Sequence, residues 1–303
     1  MNTNAPPVPR RIGAHSSRRL IRWERYWFLL PGLAVLVLLN IFPMAYSLWV
    51  SFHRYVLGEQ LRPFIGFRNF ANALSNPDFL HALWMTGFLT VTTVLAQLVF
   101  GLVVALILNR HDIFGRRIFS TIFTLPMAVS PLVVGILWRF MLNPSYGVLT
   151  YMIDRIFHQH IDLSHPVLAT VALLVTYTWA WTPFATLFLY SALLNVDNEP
   201  LEAAQVDGAS NLRIVWSIQL PMIRHLIILV TLLQTITAFR MFTIPDLLTS
   251  GGPGTTTQTL SYLVWLRGLN YFNLGSASAM SWLMVIVASV FAVLFLRYGR
   301  FEV

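Results

Sequence analysis

Long apolar runs broken by short polar stretches make up most of this chain. Six of them extend over about residues 27–50, 82–108, 118–142, 166–189, 220–248 and 277–297. Each reaches the roughly 20 mainly apolar residues that cross the hydrocarbon of a bilayer as a helix. The pattern predicts an all-α integral membrane protein with six transmembrane helices. The first run is too long for the hydrophobic region of a secretory signal and lacks a small-residue cleavage site, so it is expected to be retained. Prolines fall within or beside the spans at Pro31, Pro43, Pro126, Pro131, Pro183 and Pro245. Proline frees backbone groups that lipid cannot satisfy, and such breaks are tolerated where helices pack together or line a cavity. That suits a transporter, although membrane helices in general also carry proline.

The polar stretches orient the bundle. One set of ends carries Arg10, Arg11, Arg18, Arg19, Arg22, Arg25, Arg110, Arg116, Arg117, Arg213, Arg224, Arg297 and Arg300. The other carries only Arg54, Arg62, Arg68, Arg155 and Arg267, while Arg139 and Arg240 lie within or near spans. Basic residues collect in cytoplasmic loops, which places both termini in the cytoplasm. Residues 1–26, rich in Pro, Arg and Ser, read as a disordered basic leader. Residues 27–303 read as the six-helix transmembrane domain, with a cytoplasmic loop at 195–221.

Composition removes most competing classes. Charged residues are 11% and hydrophobic residues 56% of the 303, against roughly 25% charged in a soluble domain. The mean hydropathy is +0.66. There is no cysteine and no lysine, which excludes disulfides, thiolate metal sites, Schiff bases and a P-loop lysine. The net charge of +8 belongs to membrane topology rather than to a nucleic-acid partner. His158 and His160 lie in a loop with no third ligand in view, so they are expected to be solvated.

Loop 195–221 carries the most information. Pro200 suits the first turn of a helix, with Asp197 or Asn198 near its cap. Asp207-Gly208 breaks that helix. Ser210 can cap a second one, in which Leu212, Val215, Trp216 and Gln219 fall at i, i+3, i+4 and i+7. Leu220-Pro221 then turns into the fifth span. Ala203 and Ala204 keep a face flat for close approach by another protein, and Glu202 offers one charge to pair across the contact. From these residues alone an ordinary interfacial amphipathic helix remains the alternative.

The order Glu202-Ala203-Ala204, then Gly208-Ala209, then Ile218 and Leu220-Pro221 resembles the EAA loop of binding-protein-dependent ABC importer permeases. Leu247-Leu248-Thr249-Ser250-Gly251-Gly252-Pro253, with Thr256 and Thr259 beyond, resembles a turn of the carbohydrate branch, the maltose permease family. So does the Gly66–Phe70 run. The resemblance implies a type I importer fold, a second permease subunit, two ATPase subunits and an extracytoplasmic substrate-binding protein. It implies that Glu202, Ala203, Ala204, Asp207, Gly208, Ala209, Leu220 and Pro221 couple to an ATPase. ATP and magnesium would sit on that partner, with no cofactor in this chain and no catalytic residue.

Over residues 179–253 the likeness runs without gaps. It carries the family's sugar-lining positions onto Tyr177, Ala180, Trp181, Phe184, Gln234, Thr237, Ala238 and Met241. Independently, Tyr177, Trp181 and Phe184 share one helical face, and aromatic planes beside hydrogen-bonding groups suit a sugar. Simple packing against lipid or neighbouring helices is the plainer alternative. Gln234 in mid-span needs a partner or a wet cavity. Arg240 is a further candidate toward substrate, six residues before Asp246 and so on another face of one continuous helix. Arg139 is expected to snorkel outward. A self-sufficient secondary transporter is the competing function, and would call for acids in the bundle centre. A membrane enzyme would need clustered Ser, His and Asp or metal ligands.

Overall fold

A computed structural model describes residues 20–110, 115–159 and 161–298. His160 and most of the predicted leader, residues 1–19, lie outside them. Helix α1, Leu20–Leu36, starts earlier than the first predicted span and runs through a π turn, Val37–Ile41, into α2, Phe42–Ser51. The chain divides into two compact units, Met1–Trp49 and Val50–Val303.

In the second unit, short α3 (Arg68–Leu74) precedes the long α4 (Pro77–Asn109). Then come α5 (Arg116–Ala128), α6 (Pro131–Met141), α7 (Val148–Phe157) and α8 (Pro166–Leu194). The loop helices are α9 (Glu199–Val206) and α10 (Asn211–Ile214), followed by a π turn at Val215–Gln219 and by α11 (Leu220–Met222). Helices α12 (Arg224–Phe239), α13 (Thr243–Thr249), α14 (Leu260–Trp265) and α15 (Leu274–Tyr298) complete the unit.

Among the described residues, four helices are long and apolar enough to cross a membrane unbroken: Leu29–Ser51, Pro77–Asn109, Pro166–Leu194 and Leu274–Phe295. The third and fifth predicted spans are not single helices. The third breaks at Val129-Ser130, between Pro126 and Pro131, and its halves α5 and α6 meet at 98°. Pro131 has no N–H to donate back, and proline pushes the residue before it out of the helical region. Ser130 accordingly has ψ 137°. The fifth bends by 72° at Ile223, between Asn211–Met222 and Arg224–Phe239, and breaks again at Arg240–Phe242 before α13. Hydropathy sees one apolar run in each case, because Ser130 and Arg240 are isolated polar residues inside long apolar stretches.

The core of this unit has three parts. Met85, Leu89 and Val94 of α4 pack with Leu173, Tyr177 and Ala180 of α8, Val134 of α6, Ala238 of α12 and Ile244 and Leu248 of α13. A second cluster joins α3, α4, Phe239, α14 and Met280 of α15. A third gathers Ala105, Leu189, Ala192, Leu193 and Ile223. Small residues let backbones approach closely where hydrocarbon supplies no hydrophobic drive. A Cβ on Gly101 would stand 3.0 Å from Ala185 Cβ, and one on Gly135 would stand 2.9 Å from Leu247 Cβ.

The Gly66–Phe70 run has a mechanical reason. Gly66 takes φ 56°, and the buried Asn69 side chain donates to Ser51 O at 2.8 Å and His53 O at 2.9 Å. It holds the end of α2 against the start of α3. Asn69→Ala removes both bonds, and the unfolding free energy is expected to fall by about 1–3 kcal/mol. A lowered melting temperature of the detergent-solubilised protein would show it; an unchanged one would contradict this account of the run.

Candidate functional site: the coupling loop and the aromatic face of α8

In the loop, α9 starts with Pro200 in its first turn, as expected, although the Asn198 cap makes no side-chain bond. Its C-terminus explains the motif spacing. Gly208 has φ 77°, its N–H donates to Gln205 O at 3.0 Å, and the Ala209 N–H donates to Ala204 O at 2.9 Å. This pair of bonds is a Schellman closure, which needs a left-handed residue at the position of Gly208. Glycine reaches that conformation without Cβ strain. Ala204, Gly208 and Ala209 thus build the reversal, and Glu202 and Ala203 are left exposed on α9.

Ser210 caps α10 weakly, its Oγ accepting from the Arg213 N–H at 3.4 Å. The π turn that follows changes the face predicted for this segment. Leu212 and Trp216 stay 69% and 65% exposed, whereas Val215 is half-buried and Gln219 is buried. One extra residue in the turn rotates the later positions relative to a regular helix. Val206, 89% exposed, joins Leu212 and Trp216 as uncovered apolar side chains around the Gly208 bend. Behind them a cavity of ≈ 430 Å³ separates the loop from the end of α4, lined by Leu106, Ile107, Arg110, Gln205 and Ile214 among others. The chain enters α12 two residues after Leu220-Pro221, at Ile223.

The predicted substrate-path residues do come together. Tyr177 and Trp181 have ring centroids 6.2 Å apart, Trp181 and Phe184 6.5 Å, and Phe184 and Phe188 4.7 Å. Gln234 Nε2 of α12 donates to Trp181 O at 3.1 Å, two residues before Pro183. Its mid-span amide therefore ties α12 to α8. Accessibility divides the set. Tyr177, Ala180, Ala238 and Met241 are buried in one cluster, and Gln234 is 2% exposed. Trp181, Phe184 and Thr237 are half-buried and Arg240 is exposed. The Thr237 hydroxyl donates to Leu233 O at 2.8 Å.

Two expectations about charges need correction. Arg240 and Asp246 do not share a continuous helix, because Arg240 terminates α12 and Asp246 opens α13. The helical angle between them is therefore undefined. Arg139 does not merely snorkel: it is exposed, yet its Nη1 donates to Leu247 O at 3.2 Å and links α6 to α13.

The Leu247–Pro253 turn is knotted by hydroxyls. Thr249 and Thr257 hydroxyls lie 2.7 Å apart, and Thr257 Oγ1 donates to Gly252 O at 2.7 Å. Thr259 caps α14 and donates to Met241 O at 3.0 Å. The tie runs through Thr257 and Thr259. A Cβ on Gly251, at φ 74°, would stand 2.7 Å from the Tyr262 ring.

One feature escaped the sequence reading. Thr86, Thr90, Thr93 and Gln97 are all 4% exposed or less, and their i, i+4, i+7, i+11 spacing forms a polar stripe along α4. Thr86 Oγ1 accepts from the Leu260 N–H at 2.8 Å. Among the described residues, no group bonds either amide atom of Gln97. Polar residues at helical spacing inside an apolar run were the available signal.

Known proteins share this fold. The trehalose/maltose transport system permease protein MalF of Thermococcus litoralis is 34% identical over 281 residues, covering 91% of this chain and 94% of the relative. The sn-glycerol-3-phosphate transport system permease protein UgpA of Escherichia coli is 29% identical, covering 93% and 96%. Among solved structures, a chain of a bacterial ABC transporter that imports the acidic polysaccharide alginate superposes with TM-score 0.81 at 24% identity, covering 93% of this chain and 96% of that one. Residues 97–301 match the family of inner membrane components of binding-protein-dependent transport systems, and the chain belongs to that family.

Proposed function

We propose that this chain is the permease subunit of an ATP-driven importer for a carbohydrate or related polyol phosphate, coupled to a separate ATPase through α9–α11. The observation that carries the coupling is the Gly208 reversal, with Glu202 and Ala203 exposed beside uncovered Val206, Leu212 and Trp216. Exposed apolar side chains grouped around a rigid bend fit a protein socket. In this reading the chain crosses the inner membrane six times, twice by broken helices, with both termini in the cytoplasm. The arginine asymmetry puts the loop on the ATPase side.

A second permease subunit completes the passage, two ATPase subunits bind ATP and magnesium, and an extracytoplasmic binding protein delivers the cargo. The trehalose/maltose and glycerol-phosphate names of the relatives share polyhydroxyl chemistry, which aromatic planes beside amides and a guanidinium can grip. Trp181 and Phe184 would stack on ring faces. Thr237 and Arg240 would meet hydroxyl or phosphate oxygens. Tyr177, Gln234, Ala238 and Met241 would shape the passage behind them. ATP-driven closure would reach α12 through the bend at Ile223.

Affinity capture in mild detergent tests the assembly: an ATPase and a second permease are expected to co-purify, and recovery of the chain alone would count against it. In the assembled importer, Trp181→Ala is expected to cut uptake roughly tenfold, the loss of about 1–2 kcal/mol of aromatic stacking and burial. The ATPase should stay bound. Uptake equal to wild type would remove Trp181 from the path.

A further inference from the structure

Helix α7 has two apolar faces, and only one is covered by protein. Leu149 packs on the main cluster and Thr150 is 2% exposed, with Ile153 half-buried on the same side. On the opposite side Val148 is 54% exposed, Tyr151 61% and Met152 50%. The last turn adds exposed Ile156 and Phe157. A contiguous exposed apolar face marks a contact site, so this outer face calls for an apolar neighbour.

Two observations say what that neighbour is. The face continues the exposed apolar surface of α6, where Leu132, Val133, Leu137 and Phe140 are uncovered. Phe140 bridges to Tyr146 with ring centroids 6.3 Å apart, immediately before α7 begins. The chemistry of the face is also that of a bilayer boundary. Its one cation, Arg155, donates from Nε to the Tyr151 hydroxyl at 3.2 Å, with its guanidinium 5.6 Å from the ring centroid. Tyrosines and a snorkelling arginine on an apolar strip are the anchors that sit at headgroup level. The helix then ends at His158, in the left-handed region with φ 54°, and exposes polar His158 and Gln159.

We infer that α7 lies in the headgroup layer of the bilayer, with Val148, Tyr151, Met152 and Ile156 against the acyl boundary, as an interfacial anchor for the broken third span. The inference rests on the reading of α4 and α8 as membrane-crossing helices. It gives α7 a role toward transport. Helix α6 is locked to α13 by the Gly135–Leu247 contact and the Arg139–Leu247 bond, so the boundary that holds α7 also sets the position of α13, whose Ile244 and Leu248 pack with Tyr177.

The absence of cysteine makes a direct test available. Single variants Val148→Cys, Met152→Cys, Ile156→Cys and Gln159→Cys are spin-labelled in the assembled importer in lipid nanodiscs. Collision with oxygen, which partitions into lipid, is compared with collision with nickel ethylenediaminediacetate, which stays in water. Labels at 148, 152 and 156 are expected to favour oxygen severalfold more than the label at 159. Labels at 148 and 152 that match 159 would overturn the proposal, as would shielding of both from both reagents, which would mean a protein covers the face. Val99→Cys, on the exposed side of α4, serves as control: if it too favours the nickel reagent, the membrane reading itself has failed rather than the placement of α7.

Discussion

Gly208→Val is expected to abolish ATP-coupled uptake while leaving the permease inserted in the membrane. A Cβ at Gly208 meets nothing within 4 Å, so the effect is not a clash. It comes from the backbone: φ is 77°, and a β-branched residue held in the left-handed region costs on the order of 1–3 kcal/mol. The chain can relieve that strain by opening the Schellman closure and letting α9 run on past Asp207. The turn that presents Glu202 and Ala203 beside Val206, Leu212 and Trp216 would then be lost. Coupling between two sites in a protein spans typically 1–3 kcal/mol, or roughly 5–150-fold, so strain of this size is enough to remove it. Gly208→Asn separates geometry from side-chain identity, because asparagine tolerates the left-handed region and should retain much of the uptake. The readouts are substrate-stimulated ATP hydrolysis and ATPase co-purification. Full coupling in the valine variant would remove the bend from the mechanism.

Gly101→Leu should act at an earlier stage and prevent the bundle from closing. The new Cβ would lie 3.0 Å from Ala185 Cβ and 3.2 Å from the Thr186 backbone nitrogen. Backbone cannot step aside as a flexible side chain can. Overpacking typically costs about 1–3 kcal/mol, and here three further carbons must fit between the same two helices. Gln97 lies one turn away on α4 and Trp181 one turn away on α8, so any parting of the helices also loosens the Gln234–Trp181 tie. The expected result is a sharp loss of monodisperse protein in detergent, with Gly101→Ala losing less. A well-behaved leucine variant would show that α4 and α8 do not pack so closely here.

How much of this could be read beforehand depends on the kind of signal each element leaves. Helices such as α4 and α8 are plain because apolar length is what a bilayer demands. The breaks within the third and fifth spans leave a fainter mark, since Ser130 and Arg240 are isolated polar residues and Ile223 is as apolar as the helices it separates. Pro126 and Pro131 marked the first break only in hindsight, because Pro183 lies within an unbroken α8. The reversal in loop 195–221 was legible residue by residue, as Gly208 and its alanines answer to local backbone rules. The aromatic face of α8 was half legible. The spacing of Tyr177, Trp181 and Phe184 gave their side of α8, but burial of Tyr177 and Met241 depends on α6 and α13 folding over them. The α4 polar stripe was present in the spacing and overlooked, because threonine barely disturbs an apolar run.

The central claim is that this chain moves its cargo only when an ATPase drives it through the Gly208 loop. Uptake into proteoliposomes, with the chain alone and with the complete assembly including loaded binding protein, tests it most directly. The account predicts no uptake by the chain alone under any ion gradient, and ATP-dependent uptake by the assembly that Gly208→Val abolishes. Gradient-driven uptake by the purified chain without ATP would contradict it.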